Sequence, residues 1–392
     1  MKRILLLVAI PLVLAACADR VPTGLSGEAA VLEQPAFKSA NSASNLTVAS
    51  VNMYFGASVE EIIDAAPEQV PVEVAKAWAI LLQTDFPARA RAMAAELAKA
   101  KPHLIGLQEA AILKTEEFFD PTSEATEVVF FDFLEVLLQE LHAWNAHYEV
   151  AVMQTDANVE LPKLEDPFGT PYLSGVRLID RDVILARSDV PVRDPAKALF
   201  AFWLGPATTG GVVPIDVFRG WTAVTATVHG QDYRFVNTHL ESEDRLGLHQ
   251  IRTAQAFELT QVLAGETLPL IVLGDFNSGP GRPVSDGETP AYDLLIGSGY
   301  MDAGLLLSGS KTPENTCCHE SDLSNMSADL DQRIDLVFVT NMMDLGKKGG
   351  MPIVQMSLLN EEYRDLRKYG VWSSDHASVI ARFTLPNPQS NK

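Results

Sequence analysis

The chain has 392 residues, with 30 Lys or Arg against 51 Asp or Glu, so its formal net charge is −21. Hydrophobic residues make up 47% of the chain, which is enough to bury a large core and excludes a mainly disordered protein. Its 3 Cys and 25 Gly exclude disulfide-rich and collagen-like scaffolds, and the acidic balance argues against a nonspecific polyanion binder with a basic stripe. That balance does not exclude an enzyme that approaches a phosphate through a bound metal.

The N-terminus has the pattern of an export signal followed by a lipid attachment site. A short positive region precedes the apolar run Ile4–Val13, which is too short to span a bilayer. The next residues, Leu14-Ala15-Ala16-Cys17, resemble a bacterial lipobox. We therefore predict a signal peptide over residues 1–16 and acylation of Cys17, which would anchor the protein to a membrane of the cell envelope. Ala18 resembles the outer-membrane sorting pattern of Gram-negative cells; the alternative is a plain secretory signal with an incidental cysteine.

Composition divides the rest of the chain into three segments. Residues 17–45 are rich in Ala, Ser, Gly and Pro without periodicity, which is typical of a flexible tether. Residues 46–384 alternate strand and helix patterns without a linker or repeat, and residues 385–392 form a short tail. No stretch after the signal is long and apolar enough to span a membrane.

Apolar patterning predicts the secondary structure of residues 46–384. The predicted strands, in chain order, are Leu46–Val51, Leu104–Leu107, Val183–Leu185, Trp221–Val228, Tyr233–Val236, Leu268–Leu273, Ile334–Val339 and Ser378–Phe383. The predicted helices are Ala88–Lys101, Phe130–Trp144 and Leu246–Leu263. Polar or Pro/Gly-rich composition predicts loops at 112–128, 155–175 and 190–218.

Acidic, amide and imidazole side chains lie next to the ends of most of these strands. A buried strand that ends in a carboxylate brings that charge to the rim of a sheet, where functional sites gather. Taken singly, each such residue is typical of a turn, a solvated strand end or a hydrogen-bonded structural histidine. The interpretation as a site rests on the whole set, which comprises Asn52, Gln108-Glu109, Asn237-Thr238-His239, Gly274-Asp275-Phe276-Asn277, Arg333-Ile334-Asp335 and Ser373-Ser374-Asp375-His376.

Together these groups suit metal-assisted hydrolysis of a phosphoester. Mg²⁺ prefers oxygen ligands, with one or two carboxylates and several waters. The phosphate needs its charge neutralised, and a water needs orienting for in-line attack. Rival chemistries have no comparable motif, because the sequence lacks a Gly-x-Ser-x-Gly elbow, a phosphate-binding loop and a His-Glu-x-x-His pair.

These motifs, in this order, resemble the endonuclease/exonuclease/phosphatase superfamily, which includes deoxyribonuclease I, exonuclease III, inositol polyphosphate 5-phosphatases and bacterial sphingomyelinases. The resemblance runs from about Leu46 to Phe383 and is strongest where Gly-Asp-Phe-Asn and Ser-Asp-His occur together. It implies an α/β fold of four layers, with two packed mixed β-sheets flanked by helices. It also implies one domain rather than two or three, because the matching residues extend from Asn52 to His376.

The resemblance implies a role for each residue of the metal and water site. Glu109 corresponds to the principal metal ligand, and Asn52 to the amide beside that metal. Asp375 corresponds to a carboxylate near the metal. Asp275 corresponds to the residue that orients or deprotonates the attacking water.

The resemblance also implies roles around the phosphate. His376 corresponds to the imidazole that stabilises the transition state, and Asp335 to the carboxylate that orients it. Asn277 corresponds to the phosphate-holding amide. His239 corresponds to a second histidine that exonuclease III relatives usually lack, so this residue and the export signal both argue against an abasic-site repair enzyme.

Several assignments leave alternatives open. Arg187 ends a strand that resembles one of the family, and it either contacts phosphate or forms a surface ion pair. Arg333 either supports Asp335 or contacts phosphate. Cys317 and Cys318 form a vicinal disulfide or remain free thiols, with a zinc site as a weaker alternative. The run Arg219-Gly220-Trp221 is interpreted as a strand entry with core packing.

The sequence therefore predicts an exported, membrane-anchored hydrolase of phosphoester bonds that depends on Mg²⁺, or on Mn²⁺ or Ca²⁺. Its substrate is a nucleic acid, a phospholipid headgroup or a small phosphoester, and the acidic charge disfavours processive binding of nucleic acid. No aromatic hairpin that would insert into a bilayer is evident, and no protein partner can be inferred. The alternative is a non-catalytic ligand-binding lipoprotein on the same fold, which would be expected to lack at least one catalytic group.

Overall fold

The part of the chain that a computed structural model describes comprises residues 44–166, 169–209, 213–242, 249–281, 290–307, 314–328, 330–342, 353–359 and 372–385. All of them belong to one unit of the chain, Ser42–Lys392. The predicted signal peptide, Cys17 and the tether before Ser44 lie outside the described residues, as does the tail after Leu385. The predictions for those segments stay predictions.

Two mixed β-sheets form the body, with strands numbered along the chain. Neighbouring strands of the 10-stranded sheet follow the order β15 (Ile353–Leu359), β16 (Ser378–Leu385), β1 (Ser44–Asn52), β2 (Leu104–Gln108), β6 (Tyr172–Arg187), β5 (Tyr148–Glu165), β9 (Val213–Val217) and β8 (Leu204–Thr209), and β3 (Ile112–Glu116) joins β6 to β4 (Val128–Asp132). The 6-stranded sheet follows the order β13 (Met301–Asp302), β14 (Asp335–Thr340), β12 (Leu270–Asp275), β11 (Gln231–His239), β10 (Gly220–Val228) and β7 (Val192–Leu199).

Helices cover the outer faces of both sheets. They are α1 (Glu60–Asp64), α2 (Val70–Gln83), α3 (Phe86–Ala100), α4 (Phe133–Ala143), α5 (His249–Leu263), α6 (Ala291–Gly297) and a short 3-10 helix, Ala303–Leu306. One core cluster lies between α2, α3, α4 and the first sheet, and another lies between α5, α6 and the second sheet. The predicted four-layer α/β architecture is confirmed. None of the described helices has the length and apolarity needed to cross a membrane.

Strand periodicity divides the core into layers. In β1, Leu46 and Val48 pack between the two sheets, whereas Ala49 and Val51 pack against the helices. The same alternation sends Ile271 and Leu273 of β12 between the sheets. Side chains of successive strand residues point to opposite faces, so a continuous apolar run is the expected pattern for a strand buried on both sides.

The predicted helix Phe130–Trp144 begins too early. Its first residues form β4, and α4 begins at Phe133, because the Asp132 carboxylate accepts hydrogen bonds from the backbone N–H groups of Leu134 and Glu135. Such a carboxylate cap fixes the first turn of a helix. The aromatic and β-branched residues before it are typical of a strand.

The three predicted loops are wrong in large part. The segments 112–128, 155–175 and 190–218 contain β3 and parts of β5, β6, β7, β8 and β9. Six of the eight residues of β7 are exposed, and the strand pairs with β10 alone among the described residues. An edge strand of this kind can carry charges and Pro195, so it lacks the apolar pattern that predicts strands.

Part of the segment 112–128, which the sequence predicts as a loop, forms an exposed hairpin. The hairpin of β3 and β4 exposes Val128, Val129 and Phe130, which are 66%, 55% and 39% accessible. Phe118 follows β3 and contacts the ring of Tyr172. The sequence did not reveal this hairpin because β3 was interpreted as part of a loop.

The strand ends with polar residues meet at one rim of the sandwich. β1 and β2 are parallel, with Asn52 opposite Gln108. β11 and β12 are parallel, with His239 opposite Asp275. β14 is antiparallel to β12, so its first residue, Asp335, lies opposite Asp275.

A buried amide pair joins the two sheets beneath this rim. Gln108 Nε2 donates to Asn237 Oδ1 at 2.6 Å, and Asn237 Nδ2 donates to the Leu107 carbonyl at 3.0 Å. Gly106 allows this approach, since a Cβ there would lie 2.5 Å from Asn237 Oδ1 and 2.4 Å from Leu273 Cδ1. The separation of the sheets at the rim therefore depends on this glycine.

We expect Gly106→Ala to lower the free energy of unfolding by about 1–3 kcal/mol, the usual cost of overpacking a core. Gly265→Ala is the matched control, because a Cβ at that position meets no atom within 4 Å. Urea unfolding of both variants is the measurement. Equal stability of the two variants would contradict the packing argument.

Candidate metal and phosphoester site

Asn52 connects the two sheets at the rim. Its Nδ2 donates to Glu109 Oε1 at 3.0 Å and to Asp275 Oδ2 at 3.1 Å. Its Oδ1 accepts from the backbone N–H of Tyr54 at 2.9 Å. In this orientation the amide bridges two carboxylates, and a role as metal ligand would require the amide to turn.

Unusual backbone conformations direct two of the site residues. Glu109 and Asn277 follow β2 and β12 directly, and their φ angles are 56° and 48°. This left-handed region is uncommon for residues other than glycine, and such residues cluster at functional sites. The turn at Glu109 lets Oε2 accept from the backbone N–H of Phe55 at 3.0 Å.

Glu109 and Asp375 are the two carboxylates of the site that are partly exposed, whereas Asn52, Asp275 and Asp335 are buried. Burial, followed by the charges of Asp375 and Asp180, raises the pKa of Glu109 to about 8. Burial also raises the pKa of Asp375. Crowded carboxylates of this kind bind protons or a cation to offset their repulsion.

The donor atoms fit a hard divalent cation. Glu109 and Asp375 are partly exposed, and carboxylate oxygens are ligands that Mg²⁺, Mn²⁺ and Ca²⁺ prefer. A second group, Asp275, Asp335 and His376, offers three ligand atoms within 4.8 Å of one another. The placement of the cation at Glu109 stays a prediction from the sequence.

A histidine–carboxylate pair forms the opposite wall. His376 Nδ1 lies 2.8 Å from Asp335 Oδ2, and its Nε2 lies 3.8 Å from Asp275 Oδ2. Burial lowers the pKa of His376, but Asp335, Asp375 and Asp275 together raise it well above its ordinary value. A proton on Nδ1 would be donated to Asp335, whichever state Nε2 is in.

Thr316 positions Asp335 within this wall. Its hydroxyl oxygen accepts from the backbone N–H groups of Ile334 and Asp335 at 3.1 and 3.0 Å. Thr316 also accepts through its carbonyl from the N–H of Ala377 at 2.7 Å. Sequence reasoning missed Thr316, because a lone threonine outside any periodic segment carries no signal.

His239 and Asn277 complete the site. His239 Nε2 lies 3.6 Å from Asp275 Oδ2, and its Nδ1 lies 3.1 Å from Arg219 Nη1. The backbone N–H of Asn277 donates to Asp275 Oδ1 at 2.9 Å, and its Nδ2 donates to the Leu240 carbonyl. Arg219, interpreted from sequence as a strand entry, thus lies against a site residue. Its signal is a single arginine at a strand start, which is too common to be specific.

The predicted contact of Arg187 with phosphate is wrong. Ala186 pairs with Leu104 at the start of β2, whereas Glu109 follows the end of that strand. Arg187 therefore lies at the opposite end of the strands from Glu109. Its guanidinium pairs with Asp189 and donates to the Lys101 carbonyl. The alternative of a surface ion pair is therefore correct, because β6 runs antiparallel to β2.

The predicted contacts of Arg333 also differ from those in the structure. Both of its terminal nitrogens contact the carboxylate of Asp302, which also accepts from the Tyr292 hydroxyl at 3.0 Å. The pair is buried, and Asp302 belongs to β13, the neighbour of the strand that begins with Asp335. This buried pair uses the guanidinium, so neither of the predicted contacts, with Asp335 or with phosphate, is supported.

The sulfur atoms of Cys317 and Cys318 lie together, as the predicted vicinal disulfide would place them. The backbone of Cys317 bridges to both Gln332 and His376. The two sulfurs and a ring nitrogen of His376 also form a group of possible metal ligands within 4.8 Å of one another, so the disulfide, the free thiols and the zinc site all stay predictions.

Comparisons with known proteins identify the relatives of this architecture. The sequence model of the Endonuclease/Exonuclease/phosphatase family matches residues 49–376. A solved structure of an endonuclease/exonuclease/phosphatase family protein from Bacteroides thetaiotaomicron aligns over 88% of this chain and 98% of its own, with 17% identity and a TM-score of 0.50. No curated protein sequence matches significantly.

Two further solved structures resemble the chain. A mannosyl-6-phosphatase of Bacteroides thetaiotaomicron VPI-5482 aligns over 86% of this chain and 98% of its own, with 18% identity and a TM-score of 0.48. Humanized D. rerio TDP2 aligns over 86% and 98%, with 18% identity and a TM-score of 0.46. At such identities a likeness concerns the fold alone.

Metal binding is expected to depend on pH through Glu109. A carboxyl group whose pKa is raised to about 8 stabilises the metal-free fold at low pH, and this contribution is lost as pH rises from its ordinary value towards 8. A cation binds the ionised form, so Mg²⁺ should raise the melting temperature more at pH 8 than at pH 6.

Calorimetric melting with and without Mg²⁺ at the two pH values is the measurement. Glu109→Gln is the control, because it removes the titrating group and should remove the pH dependence of the Mg²⁺ effect. The argument fails if Mg²⁺ stabilises the wild type equally at both pH values.

Proposed function

The chain belongs to the endonuclease/exonuclease/phosphatase family, and from that premise we propose that it is an exported hydrolase whose site comprises Glu109, Asp275 and His376. In general terms the protein is a metal-dependent phosphoesterase, as the family assignment indicates. The observation that carries the residue assignment is the convergence of these groups on Asp275 Oδ2, to which Asn52 donates at 3.1 Å and which His376 Nε2 faces at 3.8 Å.

Asp275 is the proposed base for the attacking water. Its Oδ1 accepts from the N–H of Asn277, which fixes the carboxylate plane, and its Oδ2 faces the cleft. A fixed carboxylate can orient a water and accept its proton, and a positioned base contributes about 10²–10⁴-fold to a rate. The cation held by Glu109 and Asp375, and by Asn52 after its amide turns, would supply charge neutralisation at the phosphate.

His376 is the proposed stabiliser of the phosphate charge. Asp335 keeps its ring protonated and oriented, so that Nε2–H points into the cleft. A preoriented cationic donor is worth most where charge develops in the transition state. Asn277 is proposed to position the Asp275 carboxylate as well as the phosphate.

Plasmid nicking is the first test. We expect the chain from Ser42 onwards to nick a plasmid with Mg²⁺, to stop in EDTA, and to lose about 10²-fold or more of its rate in His376→Ala. Arg187→Gln is the matched control and should keep wild-type activity, because Arg187 lies at the opposite edge of the sheet.

Each result has a defined meaning. Nicking that requires Mg²⁺ and His376 would establish a nuclease. If the folded wild type does not nick, a phosphatidylcholine vesicle and a nitrophenyl phosphate are the next substrates, the vesicle because the hairpin of β3 and β4 exposes apolar side chains. Turnover of none of the three would favour the alternative of a non-catalytic binding lipoprotein.

We also propose that Cys17 anchors the protein to the cell envelope, in the outer membrane if the cell is Gram-negative. The support is the lipobox-like run Leu14–Cys17, which lies outside the described residues. Stable anchoring requires more than one acyl chain, and a diacylated cysteine supplies this.

Expression in a bacterial host tests the anchor. We expect the wild type to pellet with membranes and Cys17→Ser to remain with the precursor or appear in the soluble fraction. Replacement of Cys318 by Ser is the control for loss of a cysteine as such. Equal partition of Cys17→Ser and wild type would contradict the anchor.

A further inference from the structure

We infer that Arg219 is a positioning residue that holds His239 as a neutral imidazole with its proton on Nε2. The inference deepens the proposed function, since it assigns a tautomer and a charge state to one of the two histidines of the proposed site. It begins from a hydrogen bond whose direction is fixed by chemistry.

Arg219 can only donate. Its Nη1 lies 3.1 Å from Nδ1 of His239, and a guanidinium has five N–H donors and no acceptor. The lone pair of Nδ1 must therefore accept, which leaves the ring proton on Nε2. A doubly protonated ring would direct an N–H at an N–H, so the imidazolium is incompatible with this contact.

Acidic side chains hold Arg219 in this position. Asp180 Oδ2 lies 3.7 Å from Nη1, and Glu241 Oε1 lies 3.9 Å from Nη2. Burial lowers the pKa of Arg219, but Glu241, Asp180, Glu109 and Asp156 together raise it, so the guanidinium stays charged. The following Gly220 leaves no room to shift, since a Cβ there would lie 2.6 Å from the Ala198 carbonyl.

The surroundings of His239 favour the same state. Burial, the charge of Arg219 and the charge of His376 each lower the pKa of His239 below its ordinary value. Asp275 is the carboxylate that faces the ring, with Oδ2 at 3.6 Å from Nε2. Glu241 and Asp180 face Arg219 rather than the ring, so their charge supports the donor.

The neutral state matters because both histidines face one oxygen of Asp275. Nε2 of His239 and Nε2 of His376 lie 3.6 and 3.8 Å from Asp275 Oδ2. Two imidazolium rings there would lower the basicity of the carboxylate that is proposed to accept the proton of water. A neutral His239 presents an uncharged N–H donor to this oxygen and leaves the charge of the carboxylate in place.

The test reads the state of His239 directly. The full-length chain is labelled with ¹⁵N-histidine, and His239→Gln identifies the ring resonances of His239. We expect the wild type to show a neutral ring protonated on Nε2 at both pH 6 and pH 8. In Arg219→Met, which removes the donor, we expect a second signal from rings protonated on Nδ1.

Two variants bracket this result. Arg219→Lys keeps a charged donor and should restore at least part of the wild-type signal. Arg193→Met is the matched control, because Arg193 pairs with Asp232 and lies opposite Thr225, five residues along β10 from Gly220, the residue opposite His239. It should leave the signal unchanged. A wild-type His239 protonated on Nδ1, or an Arg219→Met spectrum equal to that of the wild type, would overturn the inference.

Hydrolysis supplies the second readout and separates this inference from the proposed function. With a nitrophenyl phosphodiester and Mg²⁺, Arg219→Met should lower kcat about 10-fold or more with a smaller change in KM, since positioning acts after binding. A wild type without turnover but with the expected His239 spectrum would reject the proposed function and keep the assignment of the neutral ring. A normal kcat in Arg219→Met would overturn the positioning role.

Discussion

Repulsion between carboxylates at one rim of the sandwich is the constraint on which the site depends. Four carboxylates lie there, of which Asp275 and Asp335 are buried and Glu109 and Asp375 are partly exposed. Like charges in such a place raise one another's proton affinity or require a positive partner. The described residues supply hydrogen-bond donors such as the Asn52 amide, and these carboxylates raise the pKa of His376 above its ordinary value.

The same repulsion explains why the oxygens of the rim carboxylates accept hydrogen bonds from several different elements of the fold. Each oxygen of Asp275 accepts from a different element, Oδ1 from the loop after β12 and Oδ2 from the end of β1. The Asp335 carboxylate contacts the ring nitrogen of His376, and its backbone N–H donates to the hydroxyl oxygen of Thr316. A carboxylate held by several donors keeps one orientation, and this preorganisation is a large part of electrostatic catalysis.

The sequence predicted the central strands well because they are buried and locally patterned, and the structure brings the polar residues at their ends to one rim. Continuous apolar runs identify β1, β2 and β12, and the polar residues that interrupt them identify Asn52 and Asp275. It failed where structure depends on tertiary partners. The exposed strand β7 has no apolar pattern. Because β6 runs antiparallel to β2, Arg187 lies at the end of the strands opposite the site.

The residues that act through others were beyond sequence reasoning for the same reason. Arg219 lies 20 residues before His239, and Thr316 lies 19 residues before Asp335, with no motif joining either pair. Their importance follows from which strands are neighbours, and only the sheet order supplies that. Polar residues at the ends of predicted strands indicate where a site lies. The residues that position those side chains can be identified only from the three-dimensional structure.

The pairing of β1 with β16 has a consequence for when the protein becomes active. The first described strand leads to Asn52, and His376 directly precedes the last described strand, which lies beside it with Ser50 opposite Val379. During synthesis, Asn52 and its strand are therefore made long before β16, the strand with which β1 pairs. A chain that stops before residue 376 lacks both His376 and the strand that pairs with β1, so the proposed site is assembled only from the two distant ends of the domain.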